Sequence, residues 1–166
     1  MSFEKLKIAP KIELDLYNSI NRIPFSLKVG NCPILSKPIY ARNLGGGNFI
    51  EFRFDRTNKN LYEMSLVSVD ADTVEDIETN EINCQKNEFH NCFIHEADSK
   101  LEDSVPMKIF RDKKSICINW GIEDQTNLEY FLLSSNCFLG INADSYLASV
   151  ILTNLLQEDI FNIFGF

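Results

Sequence analysis

The chain has 166 residues, with 16 Lys plus Arg, 24 Asp plus Glu and a formal net charge of −8. A chain of this length suits one domain and buries roughly 70% of its unfolded surface, so it needs neither a disulfide nor a metal to fold. Its 45% hydrophobic and 24% charged residues exclude wholesale disorder, and no apolar run approaches the ~20 residues of a membrane-spanning helix.

Most apolar residues alternate with a period of two, the signature of strands. The N-terminus, Met1-Ser2-Phe3-Glu4-Lys5-Leu6-Lys7, has no apolar stretch of the signal-peptide type. Ile12-Glu13-Leu14-Asp15-Leu16 alternates cleanly, as does Phe25-Ser26-Leu27-Lys28-Val29 before Gly30 breaks the pattern. Asn43-Leu44-Gly45-Gly46-Gly47-Asn48 lacks the flanking residues of a P-loop or a dinucleotide loop and reads as a flexible loop between strands. Residues 49–54 and 61–69 flank the polar segment 55–60, which predicts a β-hairpin. Further strands are predicted at 90–95, 105–110, 115–120, 128–133, 137–142 and 146–153, and a short helix at 72–78.

The segment 144–164 has two readings. Asp144 could cap a helix through Leu147, Val150 and Ile151, which would make the fold α+β. A weak internal repeat favours a strand instead. Phe52-Arg53-Phe54-Asp55 with Leu61, Met64 and Leu66 resembles Leu139-Gly140-Ile141-Asn142 with Leu147, Val150 and Leu152. Pro24-Phe25-Ser26-Leu27 and Pro106-Met107-Lys108-Ile109 hold similar places upstream. On that reading 24–69 and 106–155 are two versions of one strand-rich unit joined by the acidic segment 70–103, and a short helix follows at 154–164. The expected architecture is a single, mainly β domain: an antiparallel two-sheet sandwich with one or two short helices. Trp120, Phe52, Phe54, Ile109 and Phe131 are expected inside it.

Charge is unevenly distributed. Residues 70–103 hold eleven acids against two bases, −9, and the rest of the chain holds 13 acids and 14 bases, +1. Such a field repels nucleic acid and anionic lipid and attracts basic partners. It could equally be a solvated linker that keeps the protein soluble. Asp70, Asp72, Glu75, Asp76, Glu78, Glu96 and Asp98 are the candidate partner-binding residues. The bases of the 108–114 region surround an evident turn and have no aromatic platform for nucleic acid.

The five cysteines are odd in number and irregularly spaced, which points to a reducing cytoplasm rather than a disulfide framework. Cys117 and Cys137 have apolar flanks and read as core thiols. Cys84, His90, Cys92 and His95 fall within twelve residues and are all possible zinc ligands, but their spacing matches no known finger. A small metal-dependent or acid–base enzyme built on them is one alternative function. An adaptor that pairs through a strand edge is another. No catalytic residue, metal or cofactor is assigned.

In size, acidity, Phe/Asn/Lys/Ile-rich composition and β-rich pattern, the chain resembles the bacterial immunity proteins of contact-dependent growth inhibition and related polymorphic toxin systems. That resemblance is one of overall character and assigns no residues. It implies a non-catalytic cytoplasmic protein that binds and neutralises a cognate toxin domain, a basic nuclease for example, without contacting nucleic acid or membrane.

Overall fold

Two six-stranded sheets face one another across a shared core in the computed structural model, which describes residues 1–18, 23–30, 37–77, 88–94, 102–121 and 127–164. Sheet 1 contains β2 (Ile12–Asn18), β3 (Ile23–Val29), β4 (Ile39–Gly45), β5 (Asn48–Phe54), β6 (Leu61–Ser68) and β9 (Glu102–Asp103), in the order β2-β3-β6-β5-β4-β9. Sheet 2 contains β7 (Val74–Asp76), β10 (Met107–Arg111), β11 (Ile116–Trp120), β12 (Glu129–Ser134), β13 (Cys137–Ile141) and β14 (Leu147–Leu152), in the order β12-β13-β14-β11-β10-β7. All pairings in both sheets are antiparallel except β4–β9 and β7–β10. The expected mainly β, sandwich-like architecture is therefore the observed one.

Alternation drives the packing. Phe25 and Leu27, then Ile50, Phe52 and Phe54, then Met64 and Leu66 turn inward from sheet 1. Ile109, Ile116, Ile118, Leu139, Val150 and Leu152 meet them from sheet 2. Phe52 and Trp120 approach across the core with ring centroids 6.0 Å apart. Of the five residues expected inside, Phe131 is only partly buried; it stacks on Phe3 at 4.1 Å. Phe3 belongs to β1 (Ser2–Lys5), which pairs with β8 (His90–Phe93) as a separate ribbon. That ribbon touches both sheets, through bridges Asn60–Phe93 and Phe89–Leu132.

The two sheets are wired alike. Sheet 1 runs β2-β3-β6-β5-β4, and sheet 2 read from β10 runs β10-β11-β14-β13-β12. In chain order both are first, second, fifth, fourth, third. The last two strands also agree in register. Phe54–Leu61, Phe52–Met64 and Ile50–Leu66 in sheet 1 hold the places of Ile141–Leu147, Leu139–Val150 and Cys137–Leu152 in sheet 2. The upstream segments do not correspond, because Pro24–Leu27 lies in β3, the second strand of its unit, and Pro106–Ile109 leads into β10, the first.

The two readings of 144–164 resolve in favour of the strand followed by a short helix, and two other expectations need correction. Residues 147–152 form no helix; they are inserted between β11 and β13, so both faces of the strand are buried. Asn154, at φ +56°, then turns the chain into α1 (Gln157–Phe164), whose Asp159 carboxylate accepts the Leu156 N–H at 3.1 Å. Ile160, Ile163 and Phe164 bury one face of α1, which packs on β2 and β3. The α-helix expected at 72–78 is not formed over its described part, residues 72–77. A 3-10 turn, Ala71–Thr73, leads directly into β7. Finally, the glycine cluster is a tight hairpin turn. Gly45 pairs with Asn48, and Gly46 and Gly47 both have positive φ, as a two-residue type I′ connection requires.

Candidate partner-binding surface

Four of the candidate acidic residues lie in one run at the margin of sheet 2, and the fold gives them different work. Asp70 caps the 3-10 turn: its carboxylate accepts the Asp72 N–H at 3.1 Å. Its own N–H goes to Oδ1 of buried Asn48 at 2.8 Å, and Asn48 Nδ2 reaches Thr73 Oγ1 at 2.9 Å. The turn is thereby fixed to the β4–β5 hairpin of the other sheet. Asp76 is also engaged. Arg111 Nε donates to its carboxylate at 2.7 Å, and that guanidinium holds the Asp76 carboxyl below the usual aspartate range. The Arg111 guanidinium also lies 5.3 Å from the Phe164 ring.

Asp72 and Glu75 are exposed. Glu75 sits opposite Phe110 in the parallel β7–β10 register, alternating with Val74 and Asp76. The seven proposed residues thus divide. Asp70 and Asp76 hold structure, Asp72 and Glu75 face solvent on a rigid edge, and Glu78, Glu96 and Asp98 lie outside the described residues. Exposed carboxylates on a fixed strand can accept hydrogen bonds from Lys or Arg and can steer a cationic partner at a distance.

The Cys–His cluster is only half described, because Cys84 and His95 lie outside those residues. His90 and Cys92 alternate on β8, opposite Lys5 and Phe3. His90 Nδ1 donates to the Glu88 carbonyl at 2.8 Å, and its ring meets Phe131 edge-on at 5.1 Å. Cys92 is fully buried, and burial pushes its thiol up to about 12. Among the described residues no three His, Cys, Asp or Glu side chains converge as a metal site would require.

Two further features escape sequence inspection. On the outer face of sheet 1, Glu51 is only 6% exposed yet carries a carboxylate. Arg42 Nε and Arg53 Nε each donate to it at 2.8 Å, and Arg53 Nη1 reaches Glu63 at 2.8 Å. Ser26 Oγ donates to Glu63 at 3.0 Å, and Tyr40 lies beneath the Arg42 guanidinium at 4.4 Å. The signal was present in the alternation of Tyr40 with Arg42 and of Glu51 with Arg53, which sets all four on one face. The equivalent face of sheet 2 is apolar: Cys117, Leu132, Phe138 and Ile151 cluster there with Phe89, Phe110 and Tyr130.

Among the described residues no helix is long and apolar enough to cross a membrane. No protein-family model matches the chain, and no curated protein matches it.

Proposed function

We propose that this protein is a non-catalytic binding protein of the immunity type, which captures and neutralises a basic toxin domain in the cytoplasm. The observation that carries this reading is the concentration of charge: a window of −9 in a chain whose remainder is +1. Part of that window is a fixed edge of sheet 2, where Asp72 and Glu75 are exposed. A nuclease domain is a fitting target, since a site built to receive phosphates is attracted to an anionic edge in the same way. Inhibition would follow from covering the substrate-binding surface. The reading needs no cofactor and no contact with nucleic acid or membrane. Cys92 is poorly suited to serve as a nucleophile in the enzymatic alternative, because burial pushes its thiol up to about 12.

The test is affinity capture of the tagged protein at low and at moderate salt, followed by co-expression. Recovery of one basic domain, toxic alone and harmless beside this protein, supports the reading. The double variant Asp72→Asn/Glu75→Gln should then associate severalfold more slowly at low salt and with a flatter salt response. An unchanged on-rate would reduce the edge to a solubility feature.

A further inference from the structure

Beside the acidic edge lies a groove of about 350 Å³, formed where β7 ends, the β10–β11 turn bends and α1 begins. Ile77, Ile160 and Phe161 give it apolar surface, and its charged lining is balanced, Asp76 and Asp112 against Arg111 and Lys113. Helix α1 buries Ile160, Ile163 and Phe164 in the core but leaves Phe161 59% exposed, and Leu156 just before the helix is 68% exposed. A phenylalanine held at a groove by a helix whose other face is locked in the core is a preorganised contact. It loses little entropy on binding, and aromatic side chains in such settings are where interface energy concentrates.

Charge decides the occupant. The segments 72–76, 111–114 and 157–161 carry six acids and three bases. Arg111 and Asp76 neutralise one another as a pair, which leaves five acids and two bases in the segments that frame the groove. The surroundings of the groove are therefore anionic while part of its lining is apolar.

We infer that the groove receives a large apolar side chain of the basic partner, flanked in that partner by Lys or Arg, with Phe161 as the anchor on this side. The inference rests on the inhibitor reading and adds the contact that acidic steering alone does not supply. Steering sets the on-rate, whereas a desolvated apolar anchor sets the lifetime of the complex.

The probe is a blocked hexapeptide with Leu-Phe between paired lysines, titrated into the full 15N-labelled chain. Two controls replace Leu-Phe by Ser-Ser, or the lysines by glutamates. The expected result is saturable shifts at Ile77, Ile160 and Phe161 with the first peptide, weakened by salt and absent with both controls. Phe161→Ser should lower the affinity about tenfold. Phe161→Gln, which keeps a good helix former on α1, should do the same with the rest of the spectrum unmoved. Shifts elsewhere, equal response to the Ser-Ser control, or an unchanged affinity in the Phe161 variants would overturn the inference. So would concentration-dependent self-association that Phe161→Gln abolishes, since the occupant would then be a second copy. Phe161→Gln that still rescues from the toxin at full strength while losing the peptide removes the groove alone. Peptide binding by a chain that rescues nothing removes the inhibitor reading and leaves the groove as a site for basic peptides.

Discussion

Asn43 treats the backbone of Val105 as a strand would. Its Nδ2 donates to the Val105 carbonyl at 3.0 Å, and its Oδ1 accepts the Val105 N–H at 2.9 Å. Asn43 is 3% exposed and lies on β4 of sheet 1, while Val105 leads into β10 of sheet 2. One buried carboxamide thus ties the crossover between sheets. Asn43→Leu leaves a backbone donor and acceptor without those bonds and should cost about 2–3 kcal/mol. Asn43→Asp loses the donor and buries a charge, and should cost at least as much. Urea denaturation with an unchanged slope checks both, and a loss under about 0.5 kcal/mol would show that the bridge is dispensable.

Glu51 offers a second measurement on sheet 1. Its carboxylate is enclosed by Arg42 and Arg53, whose side chains remain 33% and 36% exposed. Removing it leaves two guanidinium groups that share a phenol ring and repel. Glu51→Ala should destabilise by about 2 kcal/mol, between the values of exposed and fully buried pairs. Arg53→Ala should cost less, because Arg42 still serves Glu51. If the two variants cost the same, Glu51 is not the hub of the network.

The sheet was legible where alternation was clean. Residues 25–29 bury Phe25, Leu27 and Val29 and turn Ser26 and Lys28 outward, so a period of two reveals them. Strand β4 carries no hydrophobic period in its sequence, for a physical reason. After Ile39 its inward positions are Ala41, Asn43 and Gly45, small or polar, and the Val105 segment presses over Asn43 and Gly45. Its outward positions include Tyr40 and Leu44, 37% and 46% exposed, so the hydrophobic pattern is inverted. Strand β14 was ambiguous for a different reason: Leu147-Ala148-Ser149-Val150-Ile151-Leu152 is covered on both faces, and a doubly buried run carries no period. Strands β7 and β9 are two or three residues long and depend on parallel partners far away in the chain. The site was partly legible. Acid clustering is a property of the sequence, but Arg111, which engages Asp76, is 35 residues from it. Phe161 is one more apolar residue in the sequence, and only the docking of α1 through Ile160, Ile163 and Phe164 leaves it uncovered.

Thiol accessibility separates core cysteines from reactive ones. Burial pushes the Cys92 thiol up to about 12 and raises Cys137 as well. Both side chains are fully enclosed, so the thiolate fraction and the access are low together. Native protein treated with iodoacetamide near neutral pH should leave the Cys92 and Cys137 peptides unmodified, and full alkylation should follow denaturation. Rapid native labelling of Cys92 would mean that the β1–β8 ribbon opens, and would revive a chemical role for that residue.

The Asp76–Arg111 pair makes the candidate edge sensitive to acid. Arg111 lowers the Asp76 pKa in the folded protein chiefly through its hydrogen bond, which outweighs the opposing effect of burial, and its charge adds to the lowering. In the unfolded chain Asp76 titrates in the ordinary aspartate range. The pair therefore stabilises the fold fully above that range, and the contribution is lost as pH falls through the lower, folded value. Asp76→Asn mimics the protonated state and has no such titration. The stability difference between wild type and Asp76→Asn should be present at neutral pH and vanish at the acid end. Carboxyl NMR should place the Asp76 midpoint below that of a free aspartate. Since Asp76 registers with Arg111 in the three-residue pairing of β7 on β10, acidification should also loosen that edge. Amide exchange at Val74 to Asp76 should accelerate in acid, relative to the intrinsic rate, more in wild type than in Asp76→Asn. A midpoint in the ordinary range, or a stability gap that does not depend on pH, would remove the pair from any account of how the edge is held.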